Sequence, residues 1–504
     1  MAVWRGGIVA RGDISDLVGP STEVIPLGDG LLIPGIQDAH VHPVWAGLEA
    51  MRCNLSGLSG LEAMREKIHS YVRARPGGGW VTGGGWFLPF GTPKASDLDD
   101  MVPDRPVFLY SNDHHAAWVN SQALRLAGID RRTPDPHDGR LERDAHGYPT
   151  GILHEGAMAL VAELMPPASP GDYEAALRYA QAHLHSLGVT GWQDAILGEY
   201  AGYLDPSPAY RTLAESGELT ARVCGALWWE RHLGLEQVPD LIGRRATNAV
   251  ERFSAPMVKI MLDGVVENYT AAMAEPYLDG HGSGLSFVDD IALFDAVKAL
   301  DAAGFGVHFH AIGDAAVRLA LDAVAISGRS AAYRHQIAHL QVVDPADVPR
   351  FAELGVIPNI QAYWATHEPQ LDMVCLPVLG EERATWLYPF GDLDRSGAVL
   401  ALGSDWPVTT ADPWQAIHVA VNRAWVGYEA LLAEQGLSLS TALTAATLGS
   451  AEANGCREAG VIAVGHVADL VVLDRDPFKG PASEIGQTRV TQTFVGGQRV
   501  YGVP

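Results

Sequence analysis

The sequence predicts an α/β protein: a (β/α)8 barrel, a small β-sandwich made from both chain ends, and an inserted subdomain after the first barrel strand. Three observations predict it. Eight short apolar runs end in polar residues, and most are followed by an amphipathic stretch, the trace of parallel βα units. The interval between the first two runs is far longer than one helix needs. Both ends of the chain hold short alternating runs broken by turns, the pattern of antiparallel strands.

The first run is LLIPGIQDAHVHP (31–43); the others are 188–195, 221–227, 258–264, 306–314, 335–343, 355–363 and 398–408. Segments such as DIALFDAVKALDAAG (290–304) and PADVPRFAELG (345–355) supply the intervening helices. An open doubly wound sheet usually places a glycine-rich phosphate loop after its first strand. Gly83, Gly84 and Gly85 do not fit that pattern and read as a flexible loop. A closed barrel is therefore the expected architecture. Residues 34–458 make the barrel, and residues 1–33 with 459–504 make the sandwich. The insertion spans roughly 50–180 and can fold over the barrel mouth, where long insertions are usually functional. Prolines and glycines in 76–106 and 131–151 fit loops there.

Composition narrows the function. The chain has 504 residues, enough for two or three structural units. A formal net charge of −25 repels phosphate backbones and argues against a nucleic-acid partner. The N-terminal MAVWRGGIVARGD has no signal-peptide core, and no stretch approaches the roughly 18 apolar residues of a membrane span. Cys53, Cys224, Cys375 and Cys456 are far apart and form no CxxC pair. They read as reduced thiols, and the cytoplasm is the expected location. The expected partner is a small-molecule substrate, with neither nucleic acid nor membrane; a homodimer stays open as the assembly.

Of 19 histidines, the informative ones stand at the C-terminal ends of barrel strands, where barrel enzymes place their active sites. His40 and His42 form H-x-H; in a strand, positions i and i+2 share a face, so both rings can reach one metal. His308 and His310 repeat the pattern. His335 and His339 flank the next strand, and Asp405 ends the eighth, where an unpaired carboxylate is costly. Each has a bland alternative: His308 as a buried hydrogen-bonded ring, His335 as a surface residue, Asp405 as a helix cap. Four strand ends in order, each offering a ligand, argue for metal. Lys259 lies in the apolar strand MVKIMLDG, where an ammonium is expensive. It can pair with Asp263 or Glu267, face the helix layer, or carry a carbamate whose carboxylate bridges two cations.

The motifs PGIQDAHVHP, DHHAAWVNSQAL, TGILHEGAM, VKIMLDGVVE, HFHAIGDAA, RHQIAHLQ, LGSDWPV and GHVADLVVLDRDP run in order over nearly the whole chain. In them the sequence resembles the amidohydrolase superfamily of TIM-barrel enzymes, specifically its family 3, the YtcJ-like proteins. The resemblance implies His40 and His42 on the more buried metal. It implies a carbamylated Lys259 bridging two divalent ions, and His310 and His339 on the second. Asp405 would bind the first ion, take a proton from the bridging water and return it to the leaving nitrogen. His308 and His335 then fall outside the ligand set. Zinc is the expected metal; manganese, iron and nickel stay open. Relative to the family pattern the chain begins late, which leaves open a thinned sandwich or a start further upstream.

The family implies hydrolysis of small non-peptide amides, including N-substituted formamides. Trp80, Trp86, Phe87, Phe90 and Trp118 in the insertion, with Tyr363, Trp364 and Trp406, suit an apolar or aromatic substrate. The alternative is that these rings pack the insertion onto the barrel. Asp113, His114, Trp86 and Tyr363 are the expected substrate contacts. An isomerase, deaminase or decarboxylase on the same barrel stays open. A non-catalytic interaction protein would normally lack a ligand, and here all six positions are filled.

Overall fold

A computed structural model of the chain describes residues 1–58, 60–77, 79–87, 93–328 and 333–503. Eight parallel strands form one sheet that is nearly closed as a barrel. In order they are Ile36–Val41, Val189–Leu197, Arg222–Trp228, Phe253–Met261, Gly306–Ala311, Gln336–His339, Ile357–Ile360 and Ala401–Leu402. Sequential strands are neighbours throughout. Every residue of these strands except Arg222 and Ser254 is buried, which is why they read as continuous apolar runs. The seam between the eighth and first strands is closed by Asp405 N–H donating to His40 O (2.7 Å) and Ser404 N–H donating to Asp38 Oδ1 (3.0 Å).

Below the mouth, buried amides on neighbouring barrel strands form a connected layer. Gln336 Nε2 donates to Gln193 Oε1 (3.0 Å), Asn359 Nδ2 to Gln336 Oε1 (2.9 Å) and Gln361 Nε2 to Asn359 Oδ1 (2.9 Å). The layer is anchored on backbone by Asn359 Nδ2 to Ala39 O (2.8 Å) and Gln336 Nε2 to Ala453 O (3.0 Å). Satisfied on this scale, a buried polar network fixes side-chain positions tightly.

The run 31–43, expected as one strand, is divided between two sheets. Leu32–Pro34 pairs antiparallel with Leu470–Leu473 in a four-stranded sheet completed by Val490–Val495 and Gln498–Tyr501, and Ile36–Val41 enters the barrel. Gly35 is the joint; a Cβ there would stand 2.2 Å from Thr190 Oγ1. A two-stranded hairpin, Ala2–Trp4 with Gly7–Ala10, joins the terminal region through a bridge between Gly7 and Val467. Ile8, Leu470, Val472 and Phe494 share the core of this region.

The insertion carries its own six-stranded sheet, with strands at Cys53–Asn54, Val81–Trp86, Val107–Ser111, Ala116–Val119, Pro149–Glu155 and Gly139–Arg143. This corrects the reading of Gly83–Gly85 as a flexible loop. The three glycines lie in a strand because neighbours crowd them: a Cβ on Gly83 would meet Cys53 O at 2.1 Å, and one on Gly85, at φ +93, would meet Ser56 Oγ at 2.4 Å. Among the described residues, no helix is long and apolar enough to cross a membrane. All four cysteines are free thiols.

Candidate active site

The C-terminal ends of the barrel strands converge on a cavity of about 360 Å³. His40 lies in the first strand, and His42 is the cap residue before helix Pro43–Ala50, whose proline at the first turn ends the strand there. Their rings are 5.3 Å apart at near right angles. Between them sits Asp405: Oδ1 is 3.3 Å from His40 Nε2 and 3.1 Å from His42 Nε2, and Oδ2 is 3.8 Å from His339 Nδ1. His310 packs on His339 with centroids 4.4 Å apart. Strand register puts Lys259 beside His308 and Met261 beside His310, so Lys259 stands one layer deeper than His310. Asp405 (φ 56) and His339 (φ 80) both occupy the left-handed region, which side chains adopt at a cost.

The six residues implied as ligands therefore line one cavity floor. The donor set fits a divalent cation. One ligand atom from each of His40, His42 and Asp405 lies within 4.8 Å of the others, all three residues buried. His42 Nδ1 and His339 Nδ1 are buried without a hydrogen-bond partner. His310, which lines the cavity, gives Nε2 to Gly264 O (3.1 Å), so that Nδ1 is the nitrogen left for a ligand. Burial holds His40, His308, His310 and His339 well below the ordinary histidine pKa, with Lys259 or a neighbouring ring adding to it. Neutral imidazole is the form that ligates metal. Burial also pushes the Lys259 ammonium down to about 7, against the attraction of Asp405. Burial opposes the Asp405 carboxylate, but the hydrogen bond from His42 and the positive groups around it outweigh burial and hold it below the usual range.

His308 does not face the cavity. Its Nε2 is 2.8 Å from His40 Nδ1, and its Nδ1 meets Gln193, so it ties the His40 ring to the amide layer. His335 sits at the opposite end of its strand, where Nδ1 accepts from Val307 N–H (3.1 Å). Asp263 is not a partner of Lys259: its carboxylate accepts the amides of Ile312 (3.0 Å), Gly313 (2.8 Å) and Ala272 (2.9 Å). Glu267 is held instead by Gln370 and Cys375. Among the described residues, no carboxylate lies within ion-pair distance of Lys259.

The expected substrate contacts divide. Asp113 and Tyr363 line the cavity. Trp86 does not, which corrects that expectation: it is fully buried in the insertion's own core, edge-on to Trp118, with Nε1 on Leu109 O at 2.8 Å. Phe90 lies outside the described residues. His114 borders the cavity, yet its Nε2 is 3.1 Å from Glu49 Oε1, and Tyr203 donates to that same oxygen (3.0 Å). A stack of rings supports His42: Trp45 lies on it at 4.4 Å and 7°. Sequence reasoning missed His115, whose Nδ1 is 2.9 Å from buried Glu155, and the wall carboxylates Glu267 and Glu368. Glu155 and Glu267 sat in quoted segments, but nothing in their spacing marked them as neighbours of the site. Burial opposes the charged form of His115; Glu155 outweighs it and raises the ring to about 9. Burial raises Glu267 to about 7, with Asp113 repelling it, and Glu368 to about 7, with Glu267 repelling it.

A barrel that gathers neutral imidazoles, a buried lysine and one aspartate at the C-terminal mouth defines a metal-dependent hydrolase. Comparison with known proteins agrees. A sequence model of the amidohydrolase family matches residues 23–501, and the chain belongs to that family. It is 31% identical to Protein LONG AFTER FAR-RED 3 of Arabidopsis thaliana, over 99% of this chain and 88% of that one. It is 30% identical to the putative amidohydrolase YtcJ of Bacillus subtilis, over 99% of each. It is 27% identical to the N-substituted formamide deformylase of Arthrobacter pascens, over 97% of this chain and 92% of that one. The crystal structure of an uncharacterized metal-dependent hydrolase from Pyrococcus horikoshii superposes with a TM-score of 0.74 at 26% identity, covering 95% of this chain and 94% of that one.

Proposed function

We propose that the protein hydrolyses a carbon–nitrogen bond of a small non-peptide amide, using two divalent ions, zinc by preference, with Lys259 as a bridging carbamate. The observation that carries this reading is the buried Asp405 carboxylate set among three imidazoles on the cavity floor. Divalent ions held there supply Lewis-acid polarisation of a carbonyl and acidify water. His40 and His42 would hold one ion with Asp405, and His310 and His339 the other. The depressed pKa of Lys259 leaves a large share of neutral amine at neutral pH, the form that adds to carbon dioxide with loss of a proton. Asp405 presents Oδ1 to His40 and His42, while Oδ2 is turned toward His339 and is the atom that takes a proton and passes it to the leaving nitrogen.

The cavity walls speak to the substrate. Tyr363, Trp364, Tyr388 and Trp425 give it aromatic faces, and Asp113, Glu267 and Glu368 give it carboxylates. Among the described residues its lining holds no arginine, the usual partner of a substrate carboxylate. A neutral or cationic aromatic amide fits these walls better than an anionic one. N-substituted formamides, the class named for the Arthrobacter relative, head the choice. A cytoplasmic setting belongs to the reading and is supported by four free thiols.

The test is to assay metal-loaded protein against N-substituted formamides, other amides, carbamates and cyclic ureas, before and after chelation. Release of amine from neutral or cationic amides, lost on chelation and restored by metal, is expected. Active protein with no divalent metal by elemental analysis refutes the reading.

A further inference from the structure

His115 is held more firmly than anything required of a cavity wall. Its Nδ1 meets both oxygens of Glu155, at 2.9 and 3.0 Å. Thr270 Oγ1 donates to Glu155 Oε1 (2.9 Å), fixing the carboxylate from its far side. The backbone is pinned as well: His115 N–H donates to Asp113 Oδ1 (3.0 Å), and His115 O accepts from Glu155 N–H (3.0 Å) and Asn268 Nδ2 (3.4 Å). These groups come from two separate regions: the insertion, and the loop after the fourth barrel strand. Glu155 is buried to 3% exposure, so a carboxylate has been taken out of water to orient one imidazole.

The orientation has a direction. With Nδ1 engaged, Nε2 is the nitrogen left over; it has no partner among the described residues, and the side chain keeps 13% exposure on the cavity. The ring stands 5.7 Å from that of His310, beside the half of the site opposite His42. Neither His115 nor Glu155 is among the six residues proposed to hold metal, and the two engage each other instead. His114 cannot serve in the same way, because its Nε2 is already on Glu49.

We propose that His115 is a catalytic residue whose Nε2–H hydrogen-bonds the oxygen of the scissile amide, and that Glu155 and Thr270 are the positioning residues that aim it. The proposal rests on the reading of the protein as an amide hydrolase. A donor aimed at an oxygen that gains negative charge during attack lowers the barrier, and removing one such donor costs roughly 10²–10³-fold in kcat. The carboxylate partner suits the task, because it favours a ring that keeps a proton on each nitrogen.

Two isosteres separate the roles of the two ring nitrogens. In His115→Asn the amide nitrogen replaces Nδ1: the contact with Glu155 survives and the cavity donor is lost. In His115→Gln the amide nitrogen replaces Nε2 and keeps that donor. The probes are N-aryl formamides and their thioformamide analogues, since sulfur accepts hydrogen bonds weakly. With metal content verified by elemental analysis, His115→Asn is expected to lose roughly 10²–10³-fold in kcat on the formamide. It should also lose most of the preference for oxygen over sulfur, while His115→Gln keeps a larger share of both. Active wild type with His115→Asn at wild-type kcat and an unchanged oxygen-to-sulfur ratio overturns the role of His115 alone. Metal-replete wild type that leaves every amide, carbamate and cyclic urea intact overturns the amide reading and this role with it.

Discussion

Gly403→Ala tests how tightly the ligands are held from beneath. A Cβ built on Gly403 lies 2.5 Å from His40 Cβ, 2.7 Å from Asn359 Oδ1 and 2.8 Å from Gln361 Nε2. Ordinary carbon contacts are ~3.5–4.0 Å, so about 1 Å must be found. No flexible tip is available to give way. His40 Cβ is fixed to the first strand, Asn359 is held by Ala39 and Gln336, and Gln361 accepts the His339 amide (2.7 Å). The ring of His40 should therefore move. Overpacking of this kind costs about 1–3 kcal/mol. Misplacement of a reacting group by ~1 Å costs on the order of 10²-fold in rate. The assay is metal content after dialysis against a metal buffer, with kcat measured on the same samples. Gly243→Ala is the control: it lies in helix Val238–Thr247 with no atom within 4 Å of the new Cβ, and alanine favours a helix over glycine by about 1 kcal/mol. Gly403→Ala that binds metal and turns over like wild type would refute the argument from packing.

Three further outcomes are expected. Asp405→Asn should lose ~10²–10⁴-fold in kcat with unchanged circular dichroism, since in the proposed mechanism one carboxylate both ligates and moves the proton; a well-folded, fully active variant removes it from the mechanism. Lys259→Ala should lose metal and activity together, with partial recovery of both on adding short carboxylic acids; wild-type metal content and activity would defeat the carbamate. In metal-stripped protein, the difference in thermal midpoint between wild type and Glu155→Gln should be largest between about pH 4.5 and 6.5, shrinking as pH rises through about 9 and as it falls below the ordinary value of the Glu155 carboxyl. The sign follows from a histidine raised in the folded state: its stabilisation is complete below the unfolded value and is lost through the folded one. Asp113 and Glu267 also face His115, and Arg231 acts on Glu155, so a difference that stays flat with pH would show that these neighbours, not Glu155, set the ring.

What the sequence disclosed depended on local periodicity. The eight strands and the polar residues their ends bring to the cavity were legible because a strand buried on both faces reads as an apolar run, and a polar residue at its end stands out. The break at Gly35 was hidden, since Leu32–Pro34 and Ile36–Val41 form one run although they serve two sheets. His114 and His115 are adjacent and chemically identical. Only the positive φ of His114 (63°) and the distant Glu49 and Glu155 assign them different tasks. Trp86 misled for a related reason: composition shows that a ring is present but not which core takes it. The wall carboxylates Glu267 and Glu368 stand in a single 3-10 turn, Val266–Asn268, and in a loop, where no periodicity carries information.

The seam of the barrel also dictates when the site can exist during synthesis. Asp38, two residues before His40, is tied to Ser404, 366 residues further along the chain, and Asn359 reaches back 320 residues to Ala39. The strand leading into that histidine pairs with Leu470–Leu473, later still. A ribosome delivers these partners last, so the nascent chain carries His40 and His42 through nearly all of translation without the groups that orient them. The arrangement proposed to hold metal is thus complete only in the finished polypeptide.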